Sequence, residues 1–156
     1  MRWGFHKLWA AKCPKTIKFF AYLMLRGKTL TQDVMRRRRI QCELGCVLCL
    51  NYPIESALHL FFLCPYAVHV WFLVSTELGF KIFIPQCTVE QIWHESLKIY
   101  KQSSGGTVKN WIMWFVCVTW FLWKERNERI FRGGRRPPSI VADKILAEGR
   151  LWSLYC

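Results

Sequence analysis

Four residues constrain this chain more than any others. Cys46 and Cys49 are separated by Val47 and Leu48, and His59 and Cys64 follow. A C-x2-C turn can present two thiolates to one point, the spacing typical of tetrahedral zinc sites. His59 and Cys64 come from a helical turn that begins at Ser56 and ends before Pro65. Proline disfavours helical geometry in the residue before it, so Cys64 can bend out of the helix toward a metal. Three sulfurs and one nitrogen make a closed set, which suits one structural Zn2+, because catalytic zinc keeps a position open for water. Cys42, in C-x3-C with Cys46, and His69, one turn beyond Cys64, are rival ligands just outside the tighter pattern. The competing reading makes all of these ordinary buried cysteines and a core histidine. Cys13, Cys87, Cys117 and Cys156 are scattered and read as core or free thiols.

The metal reading depends on compartment. The opening stretch MRWGFHKLWAAKCPK breaks its apolar run with His6, Lys7 and Lys12 and offers no small-residue cleavage site. A reducing intracellular setting, nuclear or cytoplasmic and not secreted, is therefore expected, and clustered cysteines there read as ligands rather than disulfides. The run Trp111 to Trp123 is interrupted only by Thr119. It falls short of the ~20 apolar residues a membrane span needs, and a buried core helix is expected.

Charge supplies the other constraint. The 156 residues hold 23 Lys plus Arg against 10 Asp plus Glu, a net charge of +13. Such a surplus favours polyanions, nucleic acid before an acidic membrane surface. The phosphate-contact candidates are Arg36, Arg37, Arg38, Arg39, Arg132, Arg135 and Arg136, acting by counterion release with little sequence preference. For Arg36–Arg39 the plainer reading is a solvated helix end that suits the helix dipole.

The punctuation predicts a mainly α fold: a helical domain with a small irregular Cys3His zinc knuckle inserted between helices. Pro14 opens a helix that Gly27 ends. Thr31 caps a short basic helix running into the arginines. Residues 41–55 read as a knuckle or short hairpin. Pro65 starts a helix ending at Gly79, with Val68, Trp71, Phe72 and Leu78 as its expected buried side. Residues 80–87 read as extended or looped. Thr88 and Gln91 form a capping box for a partly exposed helix through Tyr100; it carries Trp93 and Tyr100, and most aromatics of the chain are expected in the core. A long helix from about Val108 to Phe131 pairs Glu125 with Arg129. After the turn RGGRRPP, a last helix runs from Ser139 to about Trp152. The expected organisation is 1–101 as a zinc-bearing domain (zinc segment 42–66), 102–108 as a linker, and 109–156 as a C-terminal helical segment packed on the same core.

Taken in order, these pieces resemble one family, the zinc-binding domain of plant LINE-type (non-LTR) reverse transcriptases. Trp9, then Cys13-Pro14-Lys15-Thr16-Ile17-Lys18-Phe19-Phe20, is similar to that family's opening motif. Gly27 to Thr31 with Arg36–Arg39 and Ile40 resembles its G-x-L-x-T stretch. Cys46-x2-Cys49, Glu55-Ser56, His59-Leu60-Phe61-Phe62 and Cys64-Pro65 resemble its metal segment, followed by Trp71. Trp120 through Trp123-Lys124-Glu125-Arg126-Asn127 and Phe131 resemble its W-x-x-W-K-x-R-N ending. The likeness covers most of residues 3–131. The departures are Val47 and Leu48, where proline is frequent, and Tyr22, where the opening usually has tryptophan.

The resemblance implies a zinc-binding module from a retrotransposon, with nucleic acid (RNA or DNA, non-specific), the parent polymerase or another protein as partner. It does not imply polymerase chemistry. Two-metal catalysis needs clustered carboxylates, and the only aspartates are Asp33 and Asp143, far apart in sequence. Cys–His thiol catalysis from Cys87 with His94 or Cys64 with His69 has no evident oxyanion site. The expectation is a non-catalytic nucleic-acid-binding or docking element. The alternative is a structural or protein-interaction remnant of a retroelement with no nucleic-acid role.

Overall fold

The computed structural model describes residues 4–80, 88–102 and 111–155. Among them are seven α-helices and one π-helical turn, and no strand. They are α1 (Phe5–Ala10), α2 (Lys15–Leu25), α3 (Gln32–Arg37), the π turn (His59–Leu63), α4 (Pro65–Leu78), α5 (Val89–Gln102), α6 (Trp111–Phe131) and α7 (Pro138–Tyr155). Of the stretch 80–87, expected to be extended or looped, only Phe80 is described, and it lies outside any helix; most of the expected linker also lies outside the described residues, and Gln102 belongs to α5. Helix α1 was not anticipated from the sequence.

The stops and starts follow backbone chemistry. Pro14 precedes α2, and Gly27 beyond its end takes the left-handed φ of 65°, which costs glycine little. Pro65 is the first residue of α4, and Gly79 closes it at φ 74°. The capping box at α5 is reciprocal: Gln91 N–H donates to Thr88 Oγ1, and Thr88 N–H donates to Gln91 Oε1. Thr31 precedes α3 as expected, but its hydroxyl bonds Asp33 and not a helix amide.

The core is aromatic and centred on α6, whose first half, Trp111 to Thr119, is buried on every side. Phe20 of α2 packs between Trp120, Trp123 and Phe61. Phe115 meets Phe62, Trp71 and Trp93. Helix α7 lies against α4 and α6, and Gly149 packs so tightly on α6 that a Cβ there would stand 2.0 Å from the Trp114 ring.

Burial on α5 and α4 departs in part from expectation, although Trp71 is buried and Leu78 packs against the core as expected. Trp93 is fully buried, because Ile92, Trp93 and Ser96 face the core as one stripe of α5. On α4 the buried stripe is Ala67, Val70, Trp71 and Val74, leaving Val68 and Phe72 exposed. Only the first set fills i, i+3, i+4 and i+7 with apolar residues, because the second meets Ser75 at i+7, and Trp71, common to both, packs on Phe62, Trp111 and Phe115.

Candidate metal centre

The four cysteine and histidine side chains come together between α3 and α4. Their ligand atoms all lie within 4.8 Å of one another. Cys46 Sγ is 3.9 Å from Cys64 Sγ, and Cys49 Sγ is 3.4 Å from His59 Nε2. Zinc bonds of about 2.3 Å to sulfur and about 2.0 Å to nitrogen imply tetrahedral edges of about 3.8 Å (S···S) and about 3.5 Å (S···N). Both observed separations fit a common ion. Cys42 and His69 are not in the group.

Local structure explains the convergence. The π turn bonds Cys64 N–H to His59 O at 2.7 Å, one residue wider than an α turn, which brings the backbones of these two residues together. Cys64 itself is extended, with φ −58° and ψ 130°, as a residue before proline should be. The C-x2-C turn is closed by Cys46 N–H to Tyr52 O and Leu50 N–H to Cys46 O, with Leu50 in the left-handed region. Tyr52 stacks on the His59 ring at 4.0 Å, nearly parallel. Cys46, His59 and Cys64 are buried and Cys49 half-buried.

The thiols also interact with each other. A hydrogen bond from Cys64 lowers the Cys46 thiol, whereas the same contact and burial push Cys64 up. A cation between them would favour the thiolate of both.

Sequence reading missed the residues that hold this knuckle in place. Gln32, almost fully buried, accepts Gly45 N–H and Glu55 N–H on Oε1 and donates to Gly45 O from Nε2. It ties both ends of the loop to α3. Glu55, fully buried, receives three N–H contacts of 2.9–3.2 Å from Arg126 of α6. Burial raises the Glu55 carboxyl, and Arg126 opposes that shift. Arg126 also donates to Leu30 O and lies over the Trp123 ring.

One turn further on, Arg129 donates to Val47 O at 3.0 Å and Leu48 O at 3.3 Å, the carbonyls inside the C-x2-C turn. Its ion pair with Glu125, expected from the spacing, is present at 3.0 Å. Glu125 accepts Arg136 N–H as well. Tyr66 donates to Arg136 O, and burial pushes the Tyr66 hydroxyl up to about 12. The signal was in the sequence as a buried-side Glu-Arg-x-x-Arg, but its partners lay many residues away.

The candidate phosphate contacts are placed unevenly. Arg36, Arg37, Arg38 and Arg39 are all exposed at or beyond the end of α3, with Arg37 paired to Asp33 at 3.7 Å. Arg135 is exposed, and Arg132 is exposed beside Glu128. Arg136 is partly drawn inward, 3.5 Å from Glu125. Among the described residues, no helix is long and apolar enough to cross a membrane.

A helical frame with a Cys3His group positioned to bind one metal ion defines a zinc-binding module. Residues 1–71 match the family described as zinc-binding in reverse transcriptase. A protein of Arabidopsis thaliana, provisionally named a ribonuclease H protein, is 25% identical over 127 residues, 81% of this chain. The match spans only 20% of that relative's length. No solved structure matches.

Proposed function

We propose that Cys46, Cys49, His59 and Cys64 hold one structural zinc ion in a non-catalytic module that binds nucleic acid. The observation that carries this reading is the closed donor set: four ligand atoms within 4.8 Å of one another, two of the pairs at tetrahedral separations, and three of the four residues buried. Such a set leaves no position for a reacting water. Zinc would supply local folding energy, and the chain's own residues hold the knuckle to α3 and α6. The plant relative and the family match favour descent from a plant LINE-type element. We read 1–101 as the zinc-bearing domain, 102–108 as linker and 109–156 as the helical segment that completes its core.

The nucleic-acid part rests on charge. Arg36, Arg38, Arg39 and Arg135 are exposed and outside the ion pairs that engage Arg37, Arg132 and Arg136. These four are the first choice for phosphate contacts, with Arg37 and Arg132 beside them and Arg136 contributing least. The test is zinc content of the purified chain beside Cys49→Ser and His59→Ala, followed by nucleic-acid affinity across a salt series. One zinc per chain, lost in both variants, with affinity falling steeply as salt rises, is the expected result. Absence of zinc in the wild type refutes the metal assignment. A zinc-loaded chain that binds no nucleic acid at low salt refutes the second part and leaves a structural or protein-docking module.

A further inference from the structure

No Asp or Glu precedes Asp33, although Arg2, Lys7, Lys12, Lys15, Lys18, Arg26 and Lys28 all lie in that stretch. The same stretch exposes two large rings, Trp9 at 46% and Phe19 at 54%. Lys15, Phe19 and Tyr22 are spaced i, i+4 and i+7, which places them along one stripe of α2, and Arg26 follows directly after the end of that helix. Trp9 joins that stripe from α1: its ring centroid is 6.2 Å from Tyr22, and its carbonyl accepts Lys18 Nζ at 2.7 Å. Lys12 and Lys15 are exposed, and neither they nor Arg26 enters an ion pair among the described residues.

We propose that this face, Trp9 and Phe19 flanked by Lys12, Lys15, Lys18 and Arg26, binds single-stranded nucleic acid by stacking bases on the rings. The proposal rests on the nucleic-acid reading above and names the strand form and the surface. Exposed rings amid unpaired cations, with no carboxylate in the same stretch, suit a ligand that offers both a π-face and a phosphate at short repeat. A duplex hides its base faces and meets only the cations. A protein partner would need acidic groups matched to the lysines, and an anionic lipid surface would use charge and rings without any requirement for bases.

The test uses the full zinc-loaded chain and a labelled oligouridine of ~20 nucleotides, followed by fluorescence anisotropy over a salt series. Trp9→Ala and Phe19→Ala are each expected to weaken binding by at least about fivefold at fixed salt, leaving the salt slope unchanged. Trp9→Phe should retain most of the affinity. The pair Lys12→Gln with Lys15→Gln should make the log–log salt slope shallower by about 1.4. Zinc content and circular dichroism of each variant check the fold. Phe19→Ala, at a well-exposed site, keeps the test valid if Trp9→Ala does not fold.

If the wild type binds and neither ring matters, this surface assignment is overturned while the arginine reading stands. No binding at low salt overturns both. Equal loss of affinity for a duplex of the same length also overturns the stacking claim. Ring-dependent binding to phosphatidylserine vesicles without binding to oligouridine assigns the face to lipid instead.

Discussion

Replacing Arg126 by Leu should strand a carboxylate in the interior. Glu55 is fully buried, and Arg126 supplies three contacts to it at 2.9–3.2 Å. Removing one partner of such a pair leaves an uncompensated buried charge and costs about 3–5 kcal/mol. A domain is typically stable by about 5–15 kcal/mol, so this is a large share. With 156 residues, each kcal/mol moves Tm by about 2–4 °C, giving a fall of about 6–20 °C.

The assay is thermal unfolding in excess zinc, so that metal loss does not contribute, beside Glu55→Leu and the double variant. The double variant should recover most of the loss, because an apolar pair leaves no orphan charge. The pH dependence has a definite sign. Burial raises the Glu55 carboxyl above its ordinary 4.5 even with Arg126 present. The folded chain therefore keeps a proton that the unfolded chain has lost, and stability from this group falls as pH rises from the unfolded value through the folded one. Without Arg126 the window should extend upward, so Arg126→Leu should be hurt more at pH ~8 than at pH ~6. A Tm within ~2 °C of wild type, or a double variant as unstable as the two singles summed, would refute the reasoning.

Zinc removal by a chelator should lower Tm and abolish hydrogen-exchange protection in residues 42–66, since structural zinc contributes ~10–16 kcal/mol in finger peptides; unchanged protection would sink the claim. Arg129→Met should reduce zinc affinity about 10- to 100-fold, read by chelator competition, because it frees the Val47 and Leu48 carbonyls. Gly149→Ala should destabilise α7 by about 1–3 kcal/mol despite alanine's better helix propensity, since its Cβ would meet Trp114; a rise in Tm would show that the Trp114 ring can move aside.

Much of this was legible before any coordinates. The Cys46–Cys49–His59–Cys64 set, the proline and glycine boundaries of α2 and α4, and the Thr88–Gln91 box are local signals. The boundaries and the box are read within a few residues, the metal set from ligand type and spacing over residues 46–64, and the structure forms each of them. What was not legible is long-range. Nothing near Gln32 announces that its amide will hold Gly45 and Glu55. Nothing near Glu55 says its partner is Arg126. On α4 Trp71 is buried as expected, but Val68 and Phe72 are not, because two overlapping stripes share Trp71 and its neighbours in sequence do not say which one packs inward. The π turn carries no propensity signature, so its wider bond was invisible as well.

The dependence of the knuckle on α6 bears on how such a segment can be inherited. The recognisable zinc stretch stops at residue 71, yet its loop carbonyls and its buried glutamate are anchored by Arg129 and Arg126. A recombination that moved only the cysteine-bearing half into a new gene would deliver a loop without its anchors and a glutamate without the arginine that pairs with it. A stop codon between the two halves would do the same. The finger is therefore not a freely portable cassette. It is expected to persist in genomes only where the tryptophan-rich helix downstream travels with it.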